Sequence, residues 1–191
     1  AATLSEEAAE ALRKDRSVEY VDPDMLVSAS DVQPSPPSWG LDRIDQRALP
    51  LDQLFAFDGN GAGVNAYIID TGIRDTHRDF GGRVNMVPNG RNGDFVGDPD
   101  GDRNGGRDCH GHGTHVAGTV GGAAYGVAKG VTLWAARVLD CSGFSRGSSV
   151  IAAIDWVTGS GSRPAVVNMS LGGSSQRALR EAVERSVAAG F

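Results

Sequence analysis

The sequence predicts an α/β protein built on a parallel β-sheet, and three observations carry that expectation. The runs "VNAYIID", "VTLWAARVL" and "AVVNMS" are apolar and rich in β-branched residues. Helix-like stretches near 112–124, 147–158 and 174–189 alternate with them. Apolar strands alternating with helices mark a parallel sheet covered on both faces. In such sheets, sites gather beyond the carboxyl ends of the strands. Asp70 closes the first run, His112 opens the next helix and Ser170 to Gly173 follow the third run, so all are expected along one rim.

A chain of 191 residues suits one well-packed domain, or a domain with a small appendage. Its 40% hydrophobic and 22% charged residues are ordinary for a globular protein. No apolar run approaches the ~20 residues of a membrane helix. The net charge of −6 is uneven: residues 1–33 hold eight of the 24 acids and three of the 18 bases, so they carry nearly all of it. No basic stripe is present to track phosphates, which excludes nucleic acid as a partner. The start, "AATLSEEAAEALRK", lacks the basic and apolar regions of a signal peptide.

Residues 4–15 read as a short helix, with Ser5 as cap, Glu6 and Glu7 at its positive end and Arg13 and Lys14 at its negative end. "VEYVDPDMLV" reads as a strand, and these two elements, unable to bury much alone, are expected to dock on something. "SASDVQPSPPSWG" reads as a linker. At the other end, "SSQRALREAVERSVAAGF" is an amphipathic helix stopped by Gly190, with Phe191 opening a next strand. An apolar edge would then stay open, so the chain is expected to be a fragment cut at an element boundary.

"DCHGHGTHVAGTV" packs three histidines into six positions. One reading is a zinc site of Cys109, His110, His112 and His115, although the stretch offers no HExxH motif. A second leaves the rings as hydrogen-bonding groups of a turn and helix start. A third is proton transfer: a serine hydroxyl needs a neutral imidazole as base, and the imidazole needs a carboxylate to fix its tautomer. Asp70, ending "AYIID", supplies a carboxylate, though an Asp ahead of glycine is also a common turn residue. "GFSRG", Gly143 to Gly147, spells a nucleophile elbow, but that order requires a histidine after the serine and none follows His115, so Ser145 reads as loop. "DFVGDPDGDRNGG" places Asp94, Asp98, Asp100 and Asp102 in a Gly-rich loop with alternating oxygens, a calcium loop or simply a solvated acidic one.

In order, "YIIDTGI", "HGHGTHVAGTV" and "VVNMSLGG" resemble the subtilisin-like serine proteases. "SWGLDRIDQRALPLD", "YGVAKGVTLWAARVLDCSG" and "RPAVVNMSLGG" resemble the proteinase K branch and its aqualysin-like members, from about Trp39 onward. The resemblance implies a subtilisin-like three-layer fold, truncated at its C-terminal half, and a serine endopeptidase acting through an Asp-His-Ser triad. Asp70 would be the acid and His112 the general base, in the subtilisin chain order. Gly143, Phe144 and Ser145 would form one wall of the substrate cleft and Ser170, Leu171 and Gly172 the other, with a peptide adding between them as a strand. The family's Gly-Thr-Ser-Met-Ala nucleophile segment and Ala-Gly-Asn oxyanion segment do not occur here, so the 191-residue chain is expected to be inactive and its parent active.

By the same resemblance, residues 1–29 are the C-terminal part of an inhibitor-type propeptide, 30–38 the linker and mature N-terminus, and 39–191 the incomplete peptidase domain. Cys109 and Cys141 sit where aqualysin-like members have a disulfide, which implies export; two reduced thiols are the alternative. Asp42, Asp45, Gln46 and Asp52 match much of an aqualysin-type calcium site, with Leu54 where a polar ligand is expected. The implied partners are protein and peptide substrates and the chain's own propeptide as intramolecular inhibitor, with no membrane and a monomeric state. A non-catalytic binding or inhibitory fragment is the second reading and a metal-dependent hydrolase the third.

Overall fold

The computed structural model describes residues 4–21, 31–97, 105–174 and 176–191. Four strands form the central sheet: β3 (Asn65–Asp70), β4 (Val84–Met86), β5 (Thr132–Arg137) and β6 (Ala165–Asn168). They are ordered β4-β5-β3-β6 and all pair in parallel. Because the pairing is parallel, every carboxyl end lies on one rim. β3 is flanked on both sides, and Ala66 to Asp70 are all buried, as its unbroken apolar run requires.

Successive side chains of β3 feed opposite cores, as the two-residue period of a strand dictates. Ala66 and Ile68 pack with Leu133, Ala135, Phe80 and Ala117 of helix α3 (His112–Gly121). Tyr67 and Ile69 pack with Val150, Ile154 and Val157 of α4 (Gly147–Ser160) and Ala182 of α5 (Arg177–Ala188). The result is three layers, helix on sheet on helices. Gly190 follows α5 in the left-handed region, φ 85°, the backbone state that ends helices at glycine. Phe191 then packs edge-on to Tyr67, ring centroids 6.3 Å apart.

The N-terminal third departs from the sequence reading. Helix α1 (Glu6–Arg13) forms with Ser5 accepting from the Ala8 amide, but it buries no residue, so the expected docking is not made by this helix. Residues 18–21 of the expected strand pair with nothing in a sheet, and 22–27 lie outside the described residues. Inside the expected linker, β1 (Asp31–Pro34) pairs antiparallel with β2 (Leu54–Phe57). Only Val32 and Gln33 are interior to β1, and Pro34 is tolerated because it ends a two-stranded edge. Between them, α2 (Trp39–Ile44) starts at Ser38, whose hydroxyl accepts from the Gly40 amide. The Lys129 ammonium lies over the Phe55 ring at 5.3 Å and donates to the Gly126 carbonyl, pinning β2 to the main domain.

Candidate active site

The site is assembled where β3 ends. Asp70 is the last residue of the strand and fully buried. Its Oδ1 accepts from the Thr71 amide at 2.7 Å and from His112 Nδ1 at 2.7 Å. Its Oδ2 is buried with no hydrogen-bond partner among the described residues. An ionised carboxylate needs a donor, so the ring carries its proton on Nδ1, which leaves Nε2 as the basic nitrogen. The His112 side chain is 45% exposed. One nitrogen is thus fixed from below while the ring stands open to the rim.

Small residues make this approach feasible. A Cβ on Gly113 would collide with the Gly72 carbonyl oxygen and stand 3.0 Å from Asp70 Oδ1, so only glycine lets the first turn of α3 rest on the strand end. Gly72 itself has φ 99°, and a side chain there would run into the backbone of Gly106 and Arg107.

Two loops border this rim. β5 and β6 flank β3, so the segments after them stand on either side of Asp70. After β5, Asp140 Oδ1 accepts from the Ser142 and Phe144 amides, while the Asp140 amide donates to the Phe144 carbonyl. Those two amides, Phe144 first, hold the Asp140 carboxyl below its ordinary value against its slight desolvation. Gly143, Phe144 and Ser145 are therefore presented on a formed turn, with Phe144 74% exposed. After β6, Ser170 donates to Asn168 Oδ1 at 2.9 Å, Leu171 anchors in the core beside α4, and Gly172 is exposed. Both expected walls lie at the rim of the Asp70–His112 pair, and Ser145 is in a loop, as read.

Other expected residues separate. Cys109 and Cys141 form a disulfide, Cα atoms 5.1 Å apart, so Cys109 offers no thiolate to a zinc ion. His110 stands near His112, ring centroids 6.3 Å apart, and close to Gly143. His115 lines a different cavity of about 690 Å³, with Leu41, Ile44, His77 and Phe80. The zinc set is thereby dispersed, and among the described residues no three His, Cys, Asp or Glu side chains gather as metal ligands.

The residues expected to hold calcium near α2 take part in backbone hydrogen bonds. Asp42 accepts from the Asp52 and Gln53 amides, Asp45 from the Ala56 amide and Asp52 from the Leu54 amide, while Gln46 donates to the Ala48 and Pro50 carbonyls. These four groups tie down the turn into β2, and no step is derived through a cation there. Of the other acidic loop, the Asp94 carboxylate accepts from the Val96 amide and its backbone pairs with that of Arg137 as an isolated parallel bridge; Asp98, Asp100 and Asp102 lie outside the described residues.

Sequence reasoning passed over two groups beside the pair. Thr71 is fully buried, and Asp108 gathers the amides of His110 and Gly111. Asp108 accepts from the amides two and three residues on, a local turn open to any Asp, and nothing in the sequence ties it to Thr71.

Comparison with known proteins agrees with this geometry. The Subtilase family profile matches residues 61–191. An extracellular serine proteinase of Thermus sp. (strain Rt41A) is 53% identical over 179 residues, covering 94% of this chain and 41% of the relative. Alkaline serine exoprotease A of Vibrio alginolyticus is 48% identical over 194 residues, 99% of this chain and 35% of the relative. A cold adapted subtilisin-like serine proteinase of known crystal structure superposes with TM-score 0.72 at 50% identity, over 80% of this chain and 52% of that one. The chain thus spans well under half the length of these two curated relatives. By sequence and by fold, it belongs to the subtilase family.

Proposed function

We propose that this chain is the N-terminal portion of a secreted serine endopeptidase precursor, in which Asp70 orients His112 as general base toward a serine hydroxyl carried later in the parent protein. The observation that carries the reading is the 2.7 Å contact between a fully buried carboxylate and Nδ1 of a half-exposed imidazole. Nε2 would take the serine proton as Oγ attacks a peptide carbonyl, then return it to the leaving amine. A substrate strand would lie between Gly143 to Ser145 and Ser170 to Gly172, bound through its backbone. The oxyanion donor and nucleophile strings are not in this sequence, so the 191 residues alone would be inactive.

Residues 1–29 would be the end of an inhibitor-type propeptide that covers the cleft, and the mature monomer would begin near Ser28 to Val32. Export is supported by the disulfide and by the extracellular relative; no described helix is long and apolar enough to cross a membrane. Asp94, Asp98, Asp100 and Asp102 would hold a structural calcium ion, which would supply charge compensation to that loop.

The test compares the parent protein with the 191-residue chain on casein and with a fluorophosphonate label. The parent should cleave and label, insensitive to chelators once folded, and the shorter chain should do neither. Cleavage by the 191-residue chain that depends on Asp70 and His112 would overturn the proposal.

A further inference from the structure

We infer that Asp108 is a positioning residue for His112: its carboxylate clamps the first turn of α3 to the end of β3 through the hydroxyl of Thr71. The inference rests on the reading of His112 as the base. The opening of α3 raises the need. Its N-cap, Gly111, has φ 104° and no side chain, so the first amides of the helix require acceptors from elsewhere. Thr71 Oγ1 accepts from the Gly113 amide at 2.8 Å, and Asp108 Oδ2 accepts from the Thr114 amide at 2.9 Å.

The two acceptors are joined. Thr71 Oγ1 donates to Asp108 Oδ1 at 2.9 Å, and the same oxygen takes the amides of His110 at 2.9 Å and Gly111 at 2.8 Å. Thr114 Oγ1 also donates to Asp108 and accepts from the Arg74 amide. Thr71 therefore has a fixed polarity, giving its proton to Asp108 and receiving one from Gly113. Its own amide donates to the Asp70 oxygen that holds His112. One residue touches both carboxylates, and His112 stands first in the helix whose opening turn this clamp holds.

Removing Asp108 would leave the Thr71 hydroxyl and the Thr114 amide without an acceptor in a half-buried place, where an unmet donor is costly. The first turn would then shift or fray, and the Asp70–His112 contact would lengthen. A group that merely shaped the loop would not transmit this through Thr71.

The test uses the 191-residue chain with nitrogen-labelled histidine, and reads the solvent exchange of the His112 Nδ1 proton by NMR, assigned by its loss in H112Q. D108A and T71V should speed that exchange about tenfold, the worth of one hydrogen bond. T71S, which keeps the hydroxyl, should stay near the parent rate, and D108N should fall between. Exchange in D108A and T71V equal to that of the parent would overturn the inference, as would T71S behaving like T71V. Should D108A not fold, the Thr71 pair decides alone. Because the readout needs no proteolysis, an inactive parent would sink the proposed function without deciding this one.

Discussion

At the scale of single residues, the account turns on how closely α3 approaches the end of β3. Gly113→Ala places a methyl against the Gly72 carbonyl and Asp70. It should destabilise by about 1–3 kcal/mol, as overpacking does, read as a lower denaturant midpoint. Gly118→Ala, in the same helix with nothing within 4 Å, should instead stabilise by about 0.5–1 kcal/mol. Equal effects would mean that the tight approach is not real. Asp108 supplies a pH dependence. Burial raises its pKa, but the hydrogen bonds from Gly111, Thr114 and His110 outweigh this and hold it below the ordinary value. Its stabilising contribution is therefore complete above the unfolded carboxylate pKa of about 3.9 and lost as pH falls through the lower folded value. An acid titration of D108N should show a shallower loss of stability in that window than the parent. The places of Asp70 at a strand end and His112 at a helix start were readable from apolar periodicity, whereas the choice of His112 among three rings came from the resemblance. Asp108 was not, because its role depends on Thr71, 37 positions earlier and adjacent only in the fold.

Among elements, the disulfide and the α3 opening act together. Cys109 lies next to Asp108 and Cys141 within the turn that Asp140 shapes, so the bridge ties the histidine segment to the loop of Gly143 to Ser145. With its ends 32 positions apart in sequence, it should contribute roughly 3–4 kcal/mol by restricting the unfolded chain. A melting midpoint unchanged by reductant, or by C109S/C141S, would refute that contribution. The central elements β3, β5, β6, α3, α4 and α5 followed from long apolar and amphipathic patterns. β1, β2, β4 and α2 did not. β1 has four residues, and its strand character comes from pairing across a turn built by Asp42 and Asp45, not from its own composition of Asp, Val, Gln and Pro.

For the whole molecule, the sheet order places β3 between β5 and β6, and this alone sets one carboxylate, one imidazole and two facing loops on a single rim. In the proposed reading these are a base and a channel, and the alcohol and oxyanion donors belong to the parent protein. The most direct measurement of that claim is the turnover of a peptide substrate by the parent protein, compared with its D70N and H112A variants at equal folded concentration. The account expects turnover to fall by about 10⁴-fold or more in each. Variants that retain turnover within about tenfold of the parent would contradict it.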